Sequence, residues 1–229
     1  MEVVLMTQDN MTSPESRLRR ALSTSDASVR LQTALTAGIH TDDAYLPVLI
    51  ERCSVEPDFY VRDMLTWAIT RQDRTKAVDL LLPELDSTTA QARSQALHSL
   101  SKLGDRRAWS AITVDLLRDD DVEVAKAAWR TAAGLAPESE HPALARDLAR
   151  NLGRGDRELQ RSLSRAIAML GPAAESVVDA ATDAPDPGVR EHALATAHVM
   201  AYPDDGFEAA IEEARRVVAL RDARTVGDD

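Results

Sequence analysis

Small and apolar residues recur at helical spacing along most of the chain. From Ala92 they fall at Ala96, Leu100 and Leu103, and Gly104 follows directly. Steps of three or four residues that end at a glycine are typical of an amphipathic helix and its C-terminus. The same arrangement returns along the sequence, so we expect a chain built almost entirely of helices.

The starting points of these helices are themselves periodic. The word Asp-x-x-Val-Arg occurs in full at residues 26–30, 58–62 and 186–190, and degenerate copies lie between them. The apolar anchors of the six copies are 30 to 35 residues apart: Val29, Val61, Ala92, Val124, Leu159 and Val189. A period of this length predicts a helical-repeat protein.

Each repeat also contains a second helical pattern, and one unit of about 31 residues cannot bury its apolar stripe alone. The second helices are predicted over residues 44–53, 75–85, 108–118, 142–152 and 172–182. Terminal helices are predicted over 14–24 and 207–222. We therefore predict one domain over residues 13–222, with flexible tails at 1–12 and 223–229.

The charged residues of the repeated word have predicted structural roles. An Asp three residues before the anchor is well placed as an N-cap, since its carboxylate can accept backbone N–H groups. The predicted caps are Asp26, Asp58, Asp121, Asp156 and Asp186. The Arg that follows the anchor is expected to join adjacent repeats, at Arg30, Arg62, Arg93 and Arg190.

These words, together with the Leu103-Gly104-Asp105 turn, resemble the HEAT repeat, in its short form first named from phycobilisome lyases. The resemblance covers about residues 26–200 and implies a right-handed α–α superhelix of six helix pairs. It also implies that the second helix of each HEAT unit, here the helix that opens at the anchor, lines a concave surface. Two repeats depart from the pattern, with Ala125 and Gln160 where the Arg is expected.

Composition fits closely packed helices and narrows the function. The chain has 37 Ala and 26 Leu but only 3% aromatic residues. Its net charge of −11 argues against nucleic acid as the partner. The start of the chain lacks the pattern of a signal peptide, and no apolar run is long enough to span a membrane. We expect a cytoplasmic protein without membrane contact.

The sequence contains no recognisable catalytic or metal-binding motif. Cys53 is the only cysteine, and no two histidines have the spacing of metal ligands on one helix face. A Gly-rich phosphate loop and a Gly-x-Ser-x-Gly nucleophile elbow are also missing. We therefore predict no catalytic residues, no metal site and no cofactor.

Fixed offsets from the anchors indicate which residues would share the concave surface. Positions five and six residues after the anchor carry aromatic and basic side chains in successive repeats. Arg157, Arg161 and Arg165 are four residues apart and so lie on one helix face. Trp and Arg are enriched at binding hot spots. The predicted groove residues are Trp67, His98, Trp129, Arg130, Arg161 and Arg165.

Three functions are compatible with this pattern. The first is a non-enzymatic scaffold or adaptor that holds a protein or peptide of basic or mixed character. The second comes from a resemblance to HEAT-like alkylpurine DNA glycosylases, in which Trp67, Trp129 and Asp63 would line a DNA groove; the net charge of −11 opposes it. The third, a bilin lyase or chaperone-like enzyme, rests on the repeat type alone.

Overall fold

The computed structural model describes residues 13–226, with side chains to residue 221, and all regular secondary structure within this range is helical. The prediction of an all-α stack of helix pairs is thereby confirmed. The predicted tail at 1–12 and residues 227–229 lie outside the described residues. No helix in the described part of the chain is both long and apolar enough to cross a membrane.

Residues 13–226 contain thirteen α-helices and four short 3₁₀ helices. The α-helices are α1 (Pro14–Leu22), α2 (Ala27–Ile39), α3 (Leu46–Cys53), α4 (Phe59–Arg71), α5 (Arg74–Leu81), α6 (Ala90–Leu103), α7 (Val114–Leu117), α8 (Val122–Leu135), α9 (His141–Ala149), α10 (Arg157–Ala168), α11 (Glu175–Ala181), α12 (Pro187–Ala201) and α13 (Phe207–Val226). We call α2, α4, α6, α8, α10 and α12 the anchor helices, because each contains one of the six repeat anchors.

Five of the anchor helices begin at the Asp that the repeat predicts. Each carboxylate accepts a backbone N–H from the first turn of its helix, at 2.8–3.4 Å. The sixth, α6, starts at Thr89, whose side chain makes no cap hydrogen bond. The predicted role of Asp26, Asp58, Asp121, Asp156 and Asp186 is therefore confirmed, and its cause is the set of N–H groups that a helix start leaves without partners.

The repeated Arg contacts the loop that precedes its own helix. In all four repeats its guanidinium donates to carbonyl oxygens of the loop that precedes its helix, at 2.8–2.9 Å. The loop is thereby fastened to the helix start. Arg30 also binds Glu56 of the following repeat, so the predicted link between repeats is found there.

The helices between the anchors are shorter than predicted. Segment 75–85 becomes α5 and a 3₁₀ helix, Pro83–Asp86, because proline lacks the N–H that would continue the α-helix. Segment 108–118 divides into a 3₁₀ helix, Arg106–Ala111, and α7. The Thr113 hydroxyl caps α7 by accepting the N–H of Leu116 at 3.3 Å, which begins a new helix inside the predicted one.

The chain divides into two compact units, Met1–Ala111 and Ile112–Asp229. In the first unit, α2, α4 and α6 pack side by side, and α1, α3 and α5 cover them. In the second unit, α8 packs on α10 and α10 on α12, with α7, α9 and α11 beside them. The single domain over residues 13–222 stays a prediction.

The last helix, α13, packs on α12 through the apolar face that the sequence predicts. Phe207, Ile211, Ala214 and Val218 are all buried. The helix continues to Val226, so residues 223–226, predicted as the start of a tail, are helical.

Candidate functional site

Trp67 lies on α4 in the first unit and is half-buried, with 37% of its surface exposed. Its indole lies across Gly38 of α2: a Cβ on Gly38 would stand 2.2 Å from Cζ3 of the ring. Only glycine leaves room for the ring at this point, although glycine inside a helix costs about 1 kcal/mol relative to alanine. One side of the indole is therefore seated on α2, while another part stays open to a partner.

His98, the second predicted groove residue of this unit, lies on α6 and is half-buried. Because α6 packs beside α4, His98 and Trp67 belong to neighbouring anchor helices, as predicted. The two residues occupy the same offset from their anchors. The first unit thus keeps both of its predicted site residues on the anchor helices.

Two exposed aromatic residues at the start of α4 are absent from the predicted groove. Phe59 and Tyr60 are 65% and 73% exposed, and their rings meet edge to face with centroids 5.6 Å apart. The guanidinium of Arg62 lies 5.9 Å from the Phe59 ring centre and is held by carbonyls of the preceding loop. A signal was present in the sequence, since residues 59–67 contain three of the eight aromatic residues in the chain.

Asp63 lies on the exposed side of α4 between these aromatic residues. Its carboxylate makes no hydrogen bond or ion pair with any residue of the described part of the chain. Most other acidic side chains of the first unit are engaged as caps or in ion pairs, among them Glu15, Asp26, Asp43, Glu51, Glu56, Asp58, Asp73, Asp79 and Asp105. Asp63 is therefore a carboxylate open to a ligand.

Trp129 is a core residue, and its predicted place in a groove is wrong. The side chain is fully buried, with 0% exposure, within α8 of the second unit. Its indole N–H donates to the carbonyl of Leu117 at 2.8 Å. The ring thus ties α8 to the end of α7 and offers no surface to a partner. This burial also removes one of the three residues assigned to a DNA groove.

The three predicted arginines of the second unit lie on α8 and α10, two anchor helices that pack together. Arg130 and Arg165 are exposed, and Arg161 is half-buried. No residue in the described range pairs with Arg161 or Arg165, whereas Arg157 on the same face binds Glu208 and Glu212 of α13. Of the three arginines on this face of α10, Arg161 and Arg165 are therefore the two that can bind a partner.

A Ser–His pair in the second unit serves structure and not catalysis. Ser164 and His192 are fully buried, with 3.0 Å between Oγ and Nε2. The N–H of Gly153 donates to Nδ1 of His192, which places the ring proton on Nε2, where the carbonyl oxygen of Gln160 and the hydroxyl of Ser164 both lie at 3.0 Å. The Ser164 hydroxyl in turn lies 2.7 Å from Oγ1 of Thr196. Burial lowers the pKa of His192 to about 4, so the ring is neutral at pH 7.

Two further observations bear on chemistry. Burial raises the pKa of the Cys53 thiol to about 12, so a reactive thiolate is not formed near neutral pH. Within the described residues, no three His, Cys, Asp or Glu side chains come together as a metal site would require.

Comparison with known proteins supports the repeat type. The family model for HEAT repeats matches residues 46–134, which confirms the HEAT resemblance for this part of the chain. Comparison with curated proteins gave no match.

Two solved structures are similar in fold. The complex of CpcE and CpcF of phycocyanin lyase from Nostoc sp. PCC7120 is 21% identical, with 83% of this chain and 78% of that chain covered and a TM-score of 0.47. Human deoxyhypusine hydroxylase in complex with glycerol is 15% identical, with 96% and 98% covered and a TM-score of 0.44. At these identities and TM-scores, neither likeness extends to function.

Proposed function

We propose that this protein is a non-enzymatic scaffold that binds a protein or peptide through the exposed faces of its anchor helices. The observation that carries the proposal is the row of aromatic side chains on α4. Phe59, Tyr60 and Trp67 are all exposed on this one helix, in a chain with only eight aromatic residues. Exposed rings of this size are costly to leave in water, and a partner that covers them gains large apolar contact area.

The surroundings of the row fit a partner of basic or mixed character. Asp63 supplies a negative charge beside the rings in the first unit, and the net charge of −11 steers basic segments toward the protein. In the second unit, Arg161 and Arg165 on α10 suit carboxylates of the same or another partner. Residues of both signs on anchor helices favour a protein surface over a uniformly charged polymer.

The test is site-specific photocross-linking in the native host. Tyr60 is replaced by p-benzoylphenylalanine, the cells are irradiated, and cross-linked proteins are identified by mass spectrometry. We expect one dominant partner whose cross-linking is lost when Trp67→Ala is added. The matched control carries the same photoreactive group in place of Leu220, an exposed apolar residue of α13.

The results separate the competing functions. Equal cross-linking from positions 60 and 220 would show that the aromatic row of α4 is not the binding surface. The nucleic-acid hypothesis is tested by titrating the purified protein with duplex DNA. Tight binding with a steep dependence on salt concentration would replace the scaffold proposal with a DNA-binding one.

A further inference from the structure

Tyr60, Asp63 and Trp67 follow one side of α4. Their spacing of three and four residues places them on successive turns, where neighbouring Cβ atoms lie about 5–6 Å apart. All three side chains are exposed, Trp67 the least. A carboxylate thus stands between a phenol ring and an indole ring on a single rigid element; we call these three residues the α4 stripe.

The indole of the α4 stripe is held in place before any partner arrives. Its contact with Gly38 of α2 removes freedom that a surface Trp would otherwise have. Packing of α2 against α4 along their length fixes this contact. A ligand that stacks on the open part of the ring therefore loses less conformational entropy than it would on a mobile side chain.

The chemistry of the α4 stripe selects a cation. An indole face attracts a positive charge through its quadrupole, and an unpaired carboxylate does so through its full charge. Arg fits both features, because its planar guanidinium stacks on rings while its N–H fork donates to a carboxylate. The first of these two features already occurs on the same helix, where the guanidinium of Arg62 lies 5.9 Å from the Phe59 ring centre.

We infer that the α4 stripe binds an arginine side chain of the partner, with the guanidinium stacked on Trp67 and paired with Asp63. This inference rests on the proposed scaffold function and names the chemistry of its partner at this point. A partner segment that carries Arg on an extended or helical stretch would insert that side chain between Tyr60 and Trp67. Lysine, a compact and strongly hydrated cation, would bind more weakly.

The experiment uses ¹⁵N-labelled full-length protein and the indole N–H signals of its three tryptophans. The probe is hexa-arginine, with hexa-lysine and hexa-glutamate for comparison. We expect hexa-arginine to shift the Trp67 signal saturably, while the signal of the buried Trp129 serves as internal reference. Trp67→Phe assigns the signal.

Variants of equal charge separate the α4 stripe from general attraction to an acidic protein. Asp63→Asn should weaken hexa-arginine binding by about threefold or more, as loss of one charge-assisted contact at an exposed site implies. Asp204→Asn removes one exposed acid of the second unit and should leave the affinity nearly unchanged. Gly38→Ala retains Trp67 but places a Cβ where its indole ring lies, so the ring must move. This variant should also weaken hexa-arginine binding.

Each outcome decides the inference. An unshifted Trp67 signal, equal losses for Asp63→Asn and Asp204→Asn, or equal affinities for hexa-arginine and hexa-lysine would overturn arginine recognition by the α4 stripe. Cross-linking from position 60 would still stand in that case, so the scaffold function would survive. If hexa-arginine binds as expected but no partner cross-links at position 60, the scaffold proposal fails by itself.

Discussion

The two compact units use the same repeated word at their helix starts, yet they hold neighbouring repeats together by different chemistry. The first unit uses a buried ion-pair network around Glu56, and the second uses a buried neutral network around His192. Their charge balance differs as well. Residues 13–111 contain thirteen acidic and thirteen basic side chains, whereas residues 112–226 contain 21 acidic and 14 basic ones.

In the first unit, Glu56 is fully buried and satisfied from three sides. Arg30 donates to its carboxylate through Nε at 2.8 Å and Nη2 at 2.7 Å, and Arg52 donates through Nε at 2.8 Å and Nη2 at 2.6 Å. The backbone N–H of Asp58 completes the set at 3.0 Å. Burial works to raise the pKa of Glu56, but the hydrogen bonds from Arg30, the Asp58 backbone and Arg52 lower it to about 2.

In the second unit, the buried polar contacts between α10 and α12 are made by groups without charge. His192 of α12 binds Gly153 of the loop before α10 and Ser164 of α10, so one imidazole joins two repeats. Burial of the ring lowers its pKa, because a low-dielectric site disfavours the charged form. The repeat thus determines where helices start, while each contact between repeats has its own residues and its own response to pH.

The largest effect should come from breaking the ion-pair network. Glu56→Gln leaves the buried Arg30 without its carboxylate, and we expect it to lower the free energy of unfolding by about 3–5 kcal/mol. The indole signals of Trp67 and Trp109 report on the first unit and that of Trp129 on the second during urea unfolding. The first unit should be the one affected.

Two controls sharpen this result. Glu51→Gln removes an exposed partner of Arg19 and should change stability by no more than about 0.5 kcal/mol. Replacing both Arg30 and Glu56 by Met should recover part of the loss, since the buried charge of Arg30 is removed while Arg52 still lacks its carboxylate. Equal losses for Glu56→Gln and Glu51→Gln would show that the network contributes little.

Acidification should destabilise the two units in different pH ranges. The pKa of His192 is about 4 against an ordinary 6.5, so the unfolded chain binds more protons between these values and the second unit loses stability as pH falls from 6.5 to 4. The pKa of Glu56 is about 2 against 4.5, so the first unit loses stability as pH falls from 4.5 to 2. Urea unfolding at about pH 7, 5 and 3, followed by the same indole signals, measures both. Earlier weakening of the first unit would contradict the comparison.

Removing the imidazole should have a smaller effect than Glu56→Gln. His192→Ala leaves the Gly153 N–H without its partner, removes one of the two contacts of the Ser164 hydroxyl and opens a cavity, and we expect a loss of about 2–3 kcal/mol in the second unit. It should also abolish the weakening of this unit between pH 6.5 and 4. His198→Ala, on the exposed side of α12, is the matched control. A pH dependence that persists in His192→Ala would assign it to another group.

The smallest effect should come from the feature that the two units share. Asp58→Ala removes one cap hydrogen bond, to Val61 N–H, and should lower the free energy of unfolding by about 1 kcal/mol. Asp58→Asn keeps a capping oxygen and should lie close to the wild type. Urea denaturation of the three proteins decides the matter. If Ala and Asn at this position behave alike, the cap contributes nothing measurable.

Much of the fold could be predicted because its causes are local. The Asp caps and the helical spacing of apolar residues depend on neighbours within a few positions, and both are confirmed. The helices between the anchors were harder, since Pro83 and Thr113 divide patterns that look continuous when only apolar spacing is considered. The buried face of α13 was also visible in the sequence.

The candidate site was only partly predictable. Trp67 lies at offset six and Trp129 at offset five from their anchors, and both were predicted to line the groove, but only the structure separates them. Trp67 is kept half-open by its seat on Gly38, whereas Trp129 turns inward to the carbonyl of Leu117. The offset gives a residue's position along its helix, but the packing of the neighbouring helix decides whether its side chain is buried or exposed.

By itself, the sequence determined the helix starts, the repeat period and the all-α class, because capping, turn chemistry and periodicity act over a few residues. Tertiary structure alone decided which Trp is core, that the Asp63 carboxylate stays open, and that Glu56 and His192 hold the repeats in their respective units. The physical reason is that burial and pairing depend on side chains about 30 residues away in sequence, as with Arg30 and Glu56 or Ser164 and His192. The repeat period shows that adjacent repeats pack together, but the burial and charge at each contact depend on the particular residues that form it.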